Sequence, residues 1–240
     1  MNSQSQKTTV GLSQINNSFS GANYLPYSVG LLQAYVEKYS SCKERFEFLR
    51  PVFKRTSVEE AVKQLVPAEV IGFSLYVWNE QISLEIIRQL KRINPNIYIV
   101  CGGPQVPDRA ELFLRNNPEI DVAVHGEGER TFFKLLEIFP SRETNQISGI
   151  SKINASGVFY SNPKADRTKD LSTIPSPYLS EVFDDLISTS DEEWLVLWET
   201  NRGCPFQCTF CDWGSAIADR VYRFAMDRIE KELDWFSKNK

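Results

Sequence analysis

Three cysteines stand close together in the last fifth of the chain. Cys204, Cys208 and Cys211 are spaced C-x3-C-x2-C within Gly203-Cys-Pro-Phe-Gln-Cys-Thr-Phe-Cys211. A loop that short brings its thiolates toward one point. Thiolate is a soft ligand and selects an iron–sulfur cluster or a soft metal. The alternative is a structural zinc or mononuclear iron site completed by another residue, and such sites usually show paired C-x2-C units and a fourth Cys or His. Here the loop supplies three ligands, so either another group completes the site or one coordination position stays open for a substrate or cofactor. Cys42 and Cys101 are poor fourth ligands; Cys101 ends a predicted buried strand, where a free Cys acts as a small hydrophobe. Ligand count and softness favour an iron–sulfur cluster held by Cys204, Cys208 and Cys211.

The elements that must position this loop follow a strand–helix rhythm. Thr8 to Leu12 reads as a first strand and residues 13–24, rich in Asn, Ser and Gly, as a loop. Pro26 can open a helix that carries Val29, Leu32, Val36 and Tyr39. Arg45 to Leu49 is a second strand closed by Pro51. Ser57 with Glu60 forms a capping box for a helix through Leu65. Glu69 to Leu75 is a buried strand, and Asn79 caps a helix with Ile82, Ile86, Leu90 and Ile93 on one face. Strands at Asn96–Cys101 and Asp121–His125 follow, each with a helix behind it. The pattern predicts an α/β fold for residues 8–140: a Rossmann-like, flavodoxin-type, doubly wound parallel sheet of five strands. Residues 141–190 change character, with a short hairpin (Gly149–Asn154 and Gly157–Tyr160) and a linker stiffened by Pro175 and Pro177. Residues 191–240 read as a strand at Trp194–Trp198, the cysteine loop, a loop over 214–222 and an amphipathic helix with Ile229, Leu233 and Phe236 on one side.

In doubly wound sheets, ligands lie outside the carboxyl ends of the strands. Small residues gather there: Ser74 after the third strand, Gly102-Gly103-Pro104 after the fourth, and Gly126-Glu127-Gly128 after the fifth. Glycine lets backbone approach a ligand closely, and a hydroxyl such as that of Ser74 can bond a buried ligand. No G-x-G-x-x-G follows the first strand, which disfavours a nicotinamide cofactor.

Composition narrows the class further. The 240 residues carry a net charge of −4 and no basic run, so neither nucleic acid nor an anionic membrane is suggested as a partner. The polar start, Met1 to Lys7, has no apolar signal region, and no apolar run approaches the ~20 residues of a membrane span. Five cysteines, three of them clustered, argue against a disulfide framework and for a reducing cytoplasm.

These residues resemble a known family. The cysteine motif, flanked by Gly203 and Pro205 and with Phe210 before its last cysteine, resembles that of the radical S-adenosylmethionine (SAM) enzymes. Residues 8–140 resemble the cobalamin (B12)-binding domain that precedes the radical domain in one large subfamily. The matching stretches are Leu25-Pro-Tyr-Ser-Val-Gly-Leu-Leu32, Gly72-Phe-Ser-Leu75, Cys101-Gly-Gly-Pro104 and His125-Gly-Glu-Gly-Glu129, while Ile174-Pro-Ser-Pro-Tyr178 looks like the interdomain linker. The resemblance implies a [4Fe-4S] cluster on the three cysteines, SAM on its open iron, Phe210 near the adenine, and cobalamin contacted by Ser74, Gly102, Gly103, Pro104, Gly126, Glu127 and Gly128. It implies reductive cleavage of SAM to start radical chemistry, often ending in methyl transfer. An electron donor such as flavodoxin or ferredoxin and a small-molecule or peptide substrate would be the partners. Classical methyl-transferring cobalamin domains place a D-x-H-x-x-G stretch after the first strand. Here Gln14-Ile-Asn-Asn-Ser-Phe-Ser-Gly21 holds no histidine. The sole histidine, His125, is therefore read as lining the nucleotide-tail side or as a satisfied polar residue.

One departure from the family is expected to matter. A radical barrel needs on the order of 200 residues, and about 50 follow the linker. The chain thus reads as an N-terminal fragment, a truncated gene product or one half of a split protein, with an incomplete barrel in which Leu195–Trp198 lacks neighbours and leaves an exposed edge. The alternative is a non-catalytic cobalamin-binding module with a degenerate radical segment.

Overall fold

A computed structural model describes residues 7–206, 208–211 and 220–239. The predicted loop at 214–222 therefore lies outside the described residues as far as residue 219, as do Met1 to Gln6.

The sheet is built on strands that the sequence makes apolar. β1 (Thr8–Asn16) leads through a two-residue strand β2 (Asn23–Tyr24) into helix α1 (Tyr27–Tyr39). β3 (Phe46–Phe48) and β4 (Val52–Lys54) both run parallel to β1, one along each half of it, separated by the break at Pro51. Then come α2 (Val58–Leu65), β5 (Val70–Ser74), α3 (Glu80–Ile93), β6 (Tyr98–Gly102), α4 (Glu111–Asn116), β7 (Val122–Val124) and α5 (Gly128–Ile138). The order β3/β4–β1–β5–β6–β7, all parallel, is the flavodoxin-type order.

Side chains alternate across this sheet with the two-residue period of a strand. Ile71, Phe73, Ile99 and Cys101 join Leu65, Ile86 and Leu90 on the side of α2 and α3. Val70, Tyr98 and Val100 join Val29, Val36, Phe132 and Leu136 on the side of α1 and α5. The capping box of α2 is present in full. Ser57 Oγ accepts from the Glu60 amide at 3.2 Å, and Glu60 Oε2 accepts from the Ser57 amide at 3.3 Å. Ser57→Ala is expected to cost about 1 kcal/mol, read as a lower midpoint in chemical denaturation at an unchanged slope.

Several expectations are corrected. β1 extends four residues beyond Leu12 because its polar end is satisfied internally. Ser13, Gln14 and Asn16 are buried, β4 pairs alongside, and Gln14 Oε1 accepts from the amide and hydroxyl of Ser28 at the start of α1. Asn79 precedes α3 but its side chain does not cap it. It accepts from the Tyr76 amide and donates to the carbonyls of Ile15 and Ser74, tying together the ends of β1 and β5. The buried stripe of α3 runs through Ser83, Leu84, Ile86, Ile87 and Leu90, while Ile93 is exposed.

The hairpin strands, β8 (Ile150–Ile153) and β9 (Phe159–Ser161), do not stand apart. β8 pairs antiparallel with β7, so the five-stranded sheet gains two further strands. Buried Ile147, Ile150 and Ser151 hold this edge. Downstream, Tyr178 is buried among Tyr27, Phe183, Trp235 and Phe236, which makes the Pro175–Pro177 stretch a packed joint. A short helix α6 (Asp184–Ser188) follows.

In the last segment, β10 (Trp194–Leu195) pairs with β2 and then stops, short of the expected Trp198. Val196, Leu197 and Trp198 are each more than a third exposed. β11 (Asn201–Arg202) and β12 (Tyr222–Arg223) form a small antiparallel ladder around the cysteine loop. Helix α7 (Met226–Lys238) buries Ile229 and Glu232, and Leu233 faces outward. The acid is tolerated inside because Arg228 Nε and Trp198 Nε1 donate to its two oxygens at 2.9 and 2.7 Å. Among the described residues no helix is long and apolar enough to cross a membrane.

Candidate functional site

A cleft of about 520 Å³ opens over the carboxyl ends of β5, β6 and β7. Ser74, Gly102, Gly103, Pro104, Gly126, Glu127 and Gly128, named from sequence alone, all line it. The N-terminal turn of α1 supplies a second wall with Tyr27 and Ser28. A third wall comes from Glu199, Asn201, Arg202 and Gly203 of the segment that carries the cysteines. The cleft thus sits between the doubly wound unit and the cysteine-bearing segment.

Its floor depends on Gly103, which has a positive φ of +100°. A Cβ there would lie 2.6 Å from the Leu75 carbonyl oxygen and 2.9 Å from the Leu75 nitrogen. The turn is tied to β5 by the Leu75 amide donating to the Gly102 carbonyl at 2.7 Å and by the Gln105 amide donating to the Leu75 carbonyl at 3.2 Å. Only glycine permits so close an approach at that angle.

Two polar networks at the cleft were not legible in the sequence. The first is a hydroxyl group set: Ser28 Oγ lies 3.0 Å from Ser74 Oγ and donates to Gln14 Oε1 at 2.7 Å, with the Tyr76 hydroxyl 3.4 Å away. The second centres on Arg202, whose guanidinium faces Glu129 at 2.5 Å, Glu199 at 3.1 Å and Glu127 at 3.9 Å. The Tyr27 hydroxyl donates to Glu199 at 3.3 Å. Burial pushes the Glu199 carboxyl above the usual range despite Arg202 beside it. Burial also raises the Tyr27 hydroxyl, helped by Glu199. For Arg202, burial alone would lower the pKa, but Glu129 and Glu199 raise it above its ordinary value and hold the guanidinium charged. The available signal was the pair Glu127-x-Glu129 in a glycine turn and an arginine two residues before Cys204. Pairing them across 73 positions takes the fold.

His125 lies outside the cleft lining. Its Nε2 is 2.8 Å from Ser151 Oγ, and burial lowers its pKa below the ordinary imidazole value. Cys101 is fully buried in β6 with its thiol pushed up by burial, and Cys42 is exposed. In the cysteine loop, the Cys211 amide donates to the Cys208 carbonyl at 3.0 Å, a tight turn. Cys204 and Cys211 are half-buried and Cys208 is exposed. Among the described residues no three His, Cys, Asp or Glu side chains are arranged to hold a metal ion. The donor chemistry nevertheless fits a thiolate-bound cluster: three thiols within eight residues on a turned loop beside the cleft. Sites of this kind commonly take their final geometry from the metal. Phe210 is 89% exposed and is not among the described residues that line the cleft.

A flavodoxin-order sheet with a small-residue cleft over its strand ends defines a doubly wound ligand-binding domain. Comparison with known proteins narrows this. The B12 binding domain family matches residues 3–136, more than half of the sequence, and the chain belongs to that family. Over 221 residues it is 37% identical to the cobalamin-dependent radical SAM methyltransferase TokK of Streptomyces tokunonensis, covering 90% of this chain and 32% of that protein. It is 36% identical over 221 residues to the 2-(S-pantetheinyl)-carbapenam-3-carboxylate methyltransferase of Streptantibioticus cattleyicolor, with the same coverage. The structure of the cobalamin-dependent SAM radical enzyme OxsB with aqua-cobalamin and SAM bound superposes with a TM-score of 0.73 at 20% identity, over 96% of this chain and 31% of that one. The fold is therefore shared along nearly the whole sequence, and the chain spans about a third of the length of these relatives.

Proposed function

We propose that the chain is the cobalamin-binding portion, with the start of the radical domain, of a cobalamin-dependent radical SAM methyltransferase. The observation that carries this reading is the cleft itself. The three small-residue turns converge there, and the segment bearing Cys204, Cys208 and Cys211 forms its outer wall. The two curated relatives that match 90% of the chain are methyltransferases, one of them named as cobalamin-dependent and radical SAM.

In this reading Ser74, Gly102, Gly103, Pro104, Gly126, Glu127 and Gly128 hold cobalamin. The glycines let backbone lie flat against the ligand, and the Ser28–Ser74 hydroxyls bond its polar part. Cys204, Cys208 and Cys211 would hold a [4Fe-4S] cluster at which SAM would bind, and Phe210, which lines no part of the cleft here, would approach the adenine only once SAM is bound. When bound, these groups supply reductive cleavage of SAM and methyl transfer. The chain's own residues orient the cofactors and exclude water between the two units. An electron donor such as flavodoxin or ferredoxin, a small-molecule or peptide substrate and a cytoplasmic setting belong to the same proposal. A cobalamin-binding module without radical chemistry is the second reading, favoured by the exposure of Cys208 and Phe210.

The test is retention of hydroxocobalamin on gel filtration of the anaerobically purified chain. Co-elution near one equivalent is expected, together with a loss of affinity of roughly 10-fold or more in Ser74→Phe, which crowds the cleft. Free passage of the pigment past the wild-type chain would reject the assignment of the cleft.

A further inference from the structure

We propose that Arg202 is a positioning residue that fixes the cysteine loop against the mouth of the cleft by its buried ion pair with Glu129 of the doubly wound unit. The idea rests on the reading of cleft and loop given above. Arg202 belongs to β11, two residues before Cys204. Its side chain is 9% exposed, although it faces a cleft. The strongest partner, Glu129, sits in the first turn of α5 and is 7% exposed. Glu127 belongs to the turn after β7, and its other oxygen already accepts from the Thr168 amide at 2.7 Å. Glu199, the third partner, lies on Arg202's own segment. Nitrogens Nε and Nη2 therefore hydrogen-bond different carboxylates, Glu199 and Glu129, while Nη1 lies 3.9 Å from Glu127 without a hydrogen bond.

Three physical points make this a clamp and not a surface pair. First, both members of the Arg202–Glu129 pair are buried, so removing one leaves an uncompensated charge inside, a much larger penalty than losing an exposed pair. Another ion pair between the segments, Lys54 with Glu192, has its lysine half exposed and is worth little by the same reasoning. Second, the geometry suits arginine specifically: Nε and Nη2 of one planar fork donate to two separate carboxylates, and a lysine ammonium is a point charge without such directed planar donors. Third, the link from Arg202 to Cys204 is one residue long and closely packed. Gly203 between them has φ +105°, and a Cβ on it would lie 2.4 Å from the Arg220 carbonyl oxygen. A shift of Arg202 is thus carried directly to the first cysteine.

The experiment compares the 240-residue chain with Arg202→Lys and Arg202→Met. Peptide-level hydrogen exchange is followed across residues 199–206 and across β5 and β6. In parallel, a nitroxide on Cys204, in a chain with Cys42, Cys208 and Cys211 changed to serine, is ranged by pulsed EPR against the Co(II) of added cob(II)alamin. Both variants are expected to exchange residues 199–206 about 10-fold faster with β5 and β6 unchanged, and to broaden the label–cobalt distance distribution. Unchanged local exchange together with an unchanged distance distribution would overturn the proposal. So would equal loss of protection in β5 and β6, which would make Arg202 a contributor to global stability alone. If Arg202→Met does not fold, the charge-conserving Arg202→Lys decides. A wild-type chain that binds no cob(II)alamin rejects the ligand assignment instead, and the exchange measurement still judges the clamp.

Discussion

Gly103→Ala is expected to destabilise the doubly wound unit by about 3–5 kcal/mol and to abolish cobalamin retention. The left-handed backbone at φ +100° alone costs a residue with a Cβ roughly 1–2 kcal/mol. The larger part is steric. The new methyl would meet the Leu75 carbonyl oxygen at 2.6 Å and the Leu75 nitrogen at 2.9 Å. These are backbone atoms of the chain just beyond β5, hydrogen-bonded to residues 102 and 105. No rotamer change relieves such a clash; either β5 or the 102–106 turn must move. Both line the cleft, so stability and binding fall together. The check is urea denaturation followed by circular dichroism, alongside gel filtration with hydroxocobalamin. With a total stability of about 5–15 kcal/mol in domains of this kind, a shift of this size is plain in the midpoint. An alanine variant with the wild-type midpoint and full pigment retention would show that the turn tolerates a Cβ.

The second large effect concerns the cysteines. Anaerobic reconstitution with iron and sulfide is expected to load about four irons per chain, with the broad visible absorption of a thiolate-bound cluster. Cys204→Ala, Cys208→Ala and Cys211→Ala should each lose most of that iron, because in the proposed reading those three thiolates are the ligands the chain supplies. Cys42→Ala should keep it, since Cys42 is exposed and lies in the connection between α1 and β3, far along the chain from the loop. Iron and sulfide content unchanged in the three alanine variants would remove the cluster from the reading. Cobalamin binding is expected to persist in all of them, because the small-residue turns that form the cleft floor belong to the doubly wound unit. That separation distinguishes failure of the cluster assignment from failure of the cleft.

Much of the cleft was legible in advance. Gly102-Gly103-Pro104 and Gly126-Glu127-Gly128 stand where apolar runs end, and a parallel sheet places all such ends along one edge. Their convergence follows from topology and needs no knowledge of side-chain packing. The strand and helix periods of residues 8–140 were equally plain, because burial on both faces demands continuous apolar strands such as Val70 to Ser74. Misreadings occurred where polarity was satisfied internally. Ser13, Gln14 and Asn16 looked like loop residues, yet they extend β1 beneath the cleft. In α7 Leu233 was expected on the apolar side, yet it faces outward, while Arg228 and Trp198 draw Glu232 inside.

The sequence by itself determined the chemistry available to this protein: the soft three-thiolate loop, the small residues at the strand ends, and the parallel order that gathers them. Those properties depend on residue type and short-range spacing, which are local. Only the tertiary structure decided how the parts meet. It made the hairpin an extension of the sheet, turned the proline stretch into an aromatic joint around Tyr178, and set Arg202 against Glu129 across 73 residues. Charge pairing between distant segments has no sequence period, so the contact that places the cysteine loop at the cleft emerges only once β7, α5 and β11 are brought together.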